Sequence, residues 1–242
     1  NALRLNTTAS DNTAIGYQSL YANTTGAGNT SIGASALDAN TTGGSNIAVG
    51  KNALSANITG DYNTAVGTDA LIVNTTSGNT AVGRQSQKAT TTGASNTSVG
   101  KHSMYSNTSG ASNVAVGDDA LSGNTTASFN TAVGRLAMAA NTTGDSLTAV
   151  GYNALRANTT AASNTAIGYY ALAANTTGAN NTAVGESSLD ANTTGAGNSA
   201  VGQGALGANT TGADNTAIGA NSLDATTTGY QNVAVGKDAL TT

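Results

Sequence analysis

Cysteine, proline and tryptophan are absent from this chain of 242 residues, and phenylalanine occurs once. Without cysteine, the protein can form neither a disulfide bond nor a thiolate metal site. Charged residues make up only 8% of the chain, against about a quarter in an average soluble domain, and the net charge is −4. The sequence offers no basic stripe for nucleic acid. No apolar run approaches the ~20 residues of a membrane-spanning helix. We therefore expect no nucleic-acid partner and no membrane insertion.

The outstanding feature of the chain is an internal repeat. A glycine preceded by Val or Ile occurs 14 times, from Gly16 to Gly236, and every interval is 17 residues except the 16 between Gly67 and Gly83. The consensus is N-T-A-V-G-x-x-A-L-x-A-N-T-T-G-x-x, and we number its positions 1 to 17, so that the marker glycine is position 5. Low charge alone would favour disorder, but a period this strict indicates stacked structural repeats.

Positions 2 to 4 predict a short β-strand, because they hold Thr, then Ala or Ser, then Val or Ile in nearly every repeat. Alternate strand residues share a face. We predict that the position 4 side chains, such as Val49, Val66 and Val82, point inward with the leucines of position 9. Positions 6, 7, 10, 16 and 17 vary freely and carry nearly every charged residue, so we predict that they are the most exposed.

The repeat is too rich in glycine and too short for helical hairpins. We predict an all-β fold, a parallel β-solenoid (β-roll or β-helix) of about 14 coils, with residues 1–242 forming a single repeat domain. The one-residue deletion falls in 74–79, within the turn, where length changes are tolerated. The chain starts at Asn1 rather than Met and begins inside a repeat, so we interpret it as a fragment of a longer fibre.

Asparagine dominates positions 1 and 12. Stacked coils could join these residues into side-chain ladders, or asparagine could merely tolerate the turn geometry. Each coil offers few large apolar side chains, which favours association of parallel identical chains. We predict that they meet through small-residue columns, namely Ala48, Ala65 and Ala81 at position 3, or Ala53 and Ala70 at position 8.

The N-T-A-V-G-x-x-A-L-x-A-N-T-T-G unit resembles repeats of phage tail-fibre-like proteins and bacterial surface fibre proteins, many of which carry a C-terminal self-cleaving chaperone of the endosialidase type. Its N-T-A-V-G core also resembles the S-x-A-I-G units in the heads of trimeric autotransporter adhesins, which are trimeric parallel β-rolls. The resemblance covers the whole chain but rests on one motif, and the period here is longer than in the adhesin heads. It implies a homotrimer and an extracellular location, at a cell surface or on a virion.

No set of residues predicts catalysis, a cofactor or a metal site: His102 is the only histidine, and the acidic residues are scattered. We expect the protein not to be an enzyme. The candidate contacts for surface glycans are exposed aromatic and basic residues. They are Tyr17, Tyr21, Tyr105, Tyr152, Tyr169, Tyr170, Arg84, Lys88 and Lys101.

The coil between Gly83 and Gly100 is irregular, because Gln87 replaces the core leucine. We predict that it is the weakest point of the stack and its most basic band. The Gln87 amide should bond to a neighbouring chain or to water, or turn outward. This band could dock an anionic partner, or it could reflect drift in a tolerant repeat.

Three functions remain open. The first is a structural shaft that presents a distal tip. The second is a binding module whose variable columns contact glycans or cells. The third is ice binding, which the sequence disfavours because positions 13 and 14 are adjacent and because position 2 accepts Ile47 and Val114, as a buried position would.

Overall fold

The computed structural model describes residues 1–241, and these residues form 14 strands of three residues each and no helix. The chain consists of two compact units. The first comprises Asn1–Asp119 with Asn124–Thr126, and the second comprises Ala120–Gly123 with the chain from Ala127 onward. No helix within residues 1–241 is long and apolar enough to cross a membrane.

Each unit is a β-solenoid in which one coil contributes one strand to a parallel sheet, in chain order. The first unit contains β1 (Thr13–Ile15), β2 (Thr30–Ile32), β3 (Ile47–Val49), β4 (Thr64–Val66), β5 (Thr80–Val82), β6 (Thr97–Val99) and β7 (Val114–Val116). The second contains β8 (Thr131–Val133), β9 (Thr148–Val150), β10 (Thr165–Ile167), β11 (Thr182–Val184), β12 (Ser199–Val201), β13 (Thr216–Ile218) and β14 (Val233–Val235). The parallel solenoid with its 17-residue repeat confirms the predicted fold class.

Strand register survives the one-residue deletion. Thr64 pairs with Thr80 and Ala65 with Ala81 across the shortened interval, in the same alignment as the other pairs. The missing residue is absorbed in the turn, where Asn63 and Asn74 both donate to the Thr76 carbonyl at 2.8 Å. The prediction that the deletion lies in a turn is therefore confirmed.

The strand faces are reversed relative to the prediction. Position 3 is fully buried, as at Ala48 and Ala65, whereas Val49, Val66 and Val82 are half-exposed on the outer face. The prediction that position 4 points inward is wrong. The reason is the narrowness of the coil, whose interior holds one leucine, two small side chains and two asparagine amides. Ser19 at position 8 donates to Ser31 at position 3 of the next coil at 2.7 Å, so the opposing walls touch.

The small-residue columns are consequently used inside each chain. Ala48, Ala65, Ala81, Ala53 and Ala70 all have no exposed surface in the single chain and belong to one core cluster. They cannot also contact a second chain, so the predicted mode of association is wrong.

Both asparagine positions form ladders, as one of the two interpretations predicted. At position 12, the Asn40 Nδ2 donates to the Asn23 Oδ1 at 2.9 Å and to the Gly43 carbonyl at 2.8 Å. At position 1, the Asn46 backbone N–H donates to the Asn29 Oδ1 at 2.9 Å. Nearly all of these asparagines are fully buried, so the amides satisfy backbone groups that the narrow core leaves without strand partners.

Gln87 points inward and is fully buried. Its Nε2 donates to the Thr80 carbonyl at 2.8 Å and to the Ser98 Oγ at 2.9 Å, while its Oε1 has no hydrogen-bond partner. The alternative that Gln87 turns outward is therefore wrong, and residues of its own core supply the acceptors for its amide. A bond from a neighbouring chain or water to its Oε1 stays a prediction. Low stability of residues 83–100 stays a prediction, and hydrogen exchange as well protected there as in neighbouring coils would contradict it.

Candidate functional site

The nine surface residues proposed from the sequence lie on repeat positions 6, 7 and 10. Because the period is 17, residues 17 apart stand on neighbouring coils about 4.8 Å apart. The structure brings some of the nine together and separates others. Tyr17 is 67% exposed, and Tyr21 lies against the guanidinium of Arg4, which donates to its hydroxyl.

Basic and aromatic residues meet on the first unit. The Lys88 Nζ lies 3.2 Å from the Tyr105 hydroxyl and 5.2 Å from the centre of its ring. The His102 ring approaches the same tyrosine edge-on at 5.2 Å. Arg84 and Lys101 occupy position 6 of successive coils and are exposed. Arg84, Lys88 and Lys101 lie on two successive coils, where the sequence predicts the most basic band.

His102 is more constrained than a solvated surface histidine. Its Nε2 lies 3.0 Å from the Gln85 Oε1, and its Nδ1 lies 3.4 Å from the Asp119 Oδ1. All three residues occupy position 7, where the backbone is left-handed in nearly every coil. This column is a polar ladder that links consecutive turns, so His102 is most simply a structural residue.

Three tyrosines of the second unit, Tyr152, Tyr169 and Tyr170, form a cluster that we call the tyrosine patch. The rings of Tyr152 and Tyr169 stack with centroids 5.5 Å apart, and Tyr170 packs edge-on against both, at 5.6 Å and 4.6 Å. Arg135, one coil earlier, lies over the Tyr152 ring at 5.8 Å. Desolvation in this cluster, aided by the neighbouring phenols, raises the pKa of Tyr169 above its ordinary value. The patch is therefore an aromatic surface with one guanidinium beside it.

A depression of about 460 Å³ adjoins the tyrosine patch. Tyr170 forms one wall, and position 10 supplies Arg156, Ala173 and Asp190 from three successive coils. The small Ala173 between two longer charged side chains creates the hollow, and the remaining lining is Ala140, Ala157 and Ala174. Burial raises the pKa of Asp190, although a hydrogen bond from Ser187 opposes that effect.

A second notable surface is the outer side of each sheet, which we call the β-branched face and define as repeat positions 2 and 4. It carries Thr, Val and Ile in all but one of these positions and no charged residue. Ile167 and Val99, both within the stack, are 40% and 39% exposed. The Val and Ile of position 4 form a partly exposed apolar row on consecutive strands, and such a row is of the kind that marks interaction sites.

The described residues, 1–241, contain no group of three or more His, Asp or Glu side chains that could hold a metal ion. No protein-family model matches the chain, and no curated protein sequence is significantly similar to it. Sequence reasoning missed Arg135, Arg156 and Asp190 as neighbours of the tyrosines. The 17-residue period was the signal that could have found them, because Arg135, Tyr152 and Tyr169 are spaced by that interval.

Proposed function

We propose that this chain is a structural shaft segment of an extracellular fibre, at a cell surface or on a virion, that holds a distal tip away from that surface. The observation that supports this function is the sameness of the coils. Nearly every coil repeats one leucine or its substitute, two small side chains and two ladder asparagines, while most of the variation lies at outward positions. A scaffold built in this way can be lengthened or shortened by whole coils without altering its cross-section.

Identical parallel chains, three in the form we favour, associate in this shaft through the β-branched face. The apolar Val and Ile row of this uncharged surface gains free energy when a second copy covers it. The number three follows the resemblance of the N-T-A-V-G core to trimeric adhesin heads. This arrangement replaces the small-residue contact, because the outward positions 2 and 4 are free in the single chain whereas positions 3 and 8 are buried.

Light scattering on the purified chain tests the association. A particle mass of three times 23.3 kDa is expected for the trimer. Ile167→Lys places a charge on the β-branched face and should reduce the mass towards that of one chain, because burying an unpaired ammonium is costly. The matched control is Thr177→Lys, at an exposed position of the neighbouring turn, which should leave the mass unchanged. The proposed interface is contradicted if the wild-type chain is monomeric, or if the two variants have the same particle mass.

Deletion of one whole repeat, residues 164–180, tests the shaft itself. The ladders and the strand register should close again one coil earlier, since position 1 follows position 17 on both sides of the cut. Circular dichroism, the oligomer number and the resistance to urea per coil should be preserved. Collapse of the assembly on loss of one coil would argue that the segment has a specific site rather than a spacer role.

Ice binding remains a competing function, and one observation favours it. Position 2 faces outward, contrary to the sequence interpretation, so a threonine column stands beside the Val and Ile column on an uncharged surface. The position 13 threonines are less available, because hydroxyls such as that of Thr193 donate to the carbonyl of the next coil at 3.0 Å. We expect a solution of the chain to show no thermal hysteresis. If it did, ice binding would be favoured over the shaft function.

A further inference from the structure

The second unit carries a concave surface whose lining departs from the regular repeat. The depression beside the tyrosine patch exists because Ala173 stands at position 10 between Arg156 and Asp190, and because the aromatic ring of Tyr170 rises at its edge. Its volume of about 460 Å³ lies within the range typical of small-ligand sites, roughly 300–1,000 Å³.

The lining defines the chemistry of a ligand. Aromatic and alanine side chains offer an apolar wall, which suits a molecule with C–H groups on one face. Arg156 donates hydrogen bonds and Asp190 accepts them, and they belong to coils two steps apart, about 9.6 Å along the stack. The two charges are opposite, so the site as a whole has no preference for an anion or a cation.

Two other classes of ligand fit less well. A quaternary ammonium ion needs a gap between aromatic rings, but the rings of Tyr152, Tyr169 and Tyr170 pack against one another at 4.6–5.6 Å. An extended peptide usually adds to an open sheet edge, and the depression is lined by side chains of turn positions instead. A ring-shaped molecule with hydroxyl groups on its rim satisfies both the apolar wall and the two charged ends.

We propose that this depression, with Tyr170 as its aromatic wall, binds a short neutral oligosaccharide. One sugar ring lies on the tyrosine wall above Ala173, and hydroxyl groups at the two ends receive a hydrogen bond from Arg156 and donate one to Asp190. The site occupies positions 7, 10 and 11, whereas the β-branched face occupies positions 2 and 4. Saccharide binding is thus independent of association through that face.

Saturation-transfer NMR tests the site with three probes: cellobiose, lactose and N,N′-diacetylchitobiose. At least one probe should bind the wild-type chain with a dissociation constant in the millimolar range. Ala173→Leu fills the hollow from a half-exposed position and should weaken binding at least tenfold, as should Tyr170→Ala. Tyr230→Ala, which removes a 71% exposed tyrosine elsewhere in the unit, should bind as the wild type does.

The proposal is overturned if none of the three saccharides shows saturation transfer at tens of millimolar, or if Ala173→Leu binds as well as the wild type. Thermal melts of each variant, followed by circular dichroism, establish that a loss of binding is not a loss of fold. Light scattering on the same samples keeps the shaft proposal separate, since the mass of the assembled particle should not change in Ala173→Leu.

Discussion

Removal of one rung of the position 12 ladder should be among the costliest single changes outside the leucine column. The Asn192 Nδ2 donates to the Asn175 Oδ1 and to the Gly195 carbonyl, both at 2.9 Å. Its Oδ1 accepts from the Asn209 Nδ2 at 2.9 Å. Asn192 has no exposed surface. Asn192→Ala therefore deletes three buried hydrogen bonds at once.

The expected loss of stability follows from the hydrogen bonds that each partner of Asn192 retains after the substitution. The Asn209 amide retains its bond to the Gly212 carbonyl, and the Gly195 carbonyl retains its bond from Asn181, so each loses about 1 kcal/mol. The Asn175 Oδ1 loses the donor from the next coil and is left buried, which costs about 1–3 kcal/mol. The free energy of unfolding should fall by about 3–5 kcal/mol, a change of at least 100-fold in the folding equilibrium.

Urea unfolding followed by circular dichroism measures this loss, and hydrogen exchange locates it, because repeat proteins can open part of the stack. Asn192→Thr should cost less than Asn192→Ala, since threonine at Thr90 still accepts from Asn107, at 3.4 Å. The control is Thr194→Ala, which changes an exposed residue and should stay within about 0.5 kcal/mol. If Asn192→Ala costs no more than this control, the ladder does not hold the coils together.

Three further substitutions probe the core and the turn. Ala65→Leu overfills a fully buried position and should lower the melting temperature of the isolated chain, with a cost of about 1–3 kcal/mol or more; an effect on assembly alone would contradict the burial. Gly83→Ala would place a Cβ against the Gly100 carbonyl oxygen at a φ of +133°, so we expect the free energy of unfolding, measured in urea, to fall by more than about 2 kcal/mol. Gln87→Leu removes an unpartnered buried oxygen, while the Ser98 hydroxyl keeps the Thr80 carbonyl as a partner. The free energy of unfolding in urea should therefore rise by about 1–2 kcal/mol; a fall would mean that the hydrogen bonds of Gln87 outweigh the cost of its unpartnered oxygen.

The residues at the variable positions 7 and 17 reflect two constraints, exposure to solvent and a left-handed backbone. Positions 7 and 17 vary, and the sequence indicates exposure for both. The structure adds that the backbone there is left-handed, with a φ of 55° at Asn52 and 58° at Ser95. Asn, Asp, Ser and Gly are frequent at these positions because they tolerate that conformation, and not only because they meet solvent. Position 9 is also left-handed, with Leu37 at 50°, which the hydrophobic pattern gave no means of predicting.

The period, the solenoid class, the position of the deletion in a turn and the asparagine ladders could all be predicted from the sequence. Each follows from strand propensity, turn chemistry and the stacking of identical residues, and the 14 repeats make these local patterns visible in the sequence. The same period placed Tyr152 and Tyr169 on neighbouring coils, so their contact was also encoded in the spacing.

Which strand face lies inside was decided only by the tertiary structure. Alternation separates Ala65 from Val66 but does not say which of them faces the core. The width of the closed coil decides it: the opposing walls leave room for Ala65 beside the leucine and the asparagine amides, and the bulkier Val66 is left outside. The hollow at Ala173 arises in the same way, because its volume depends on side chains from four coils that come together only when the chain is wound.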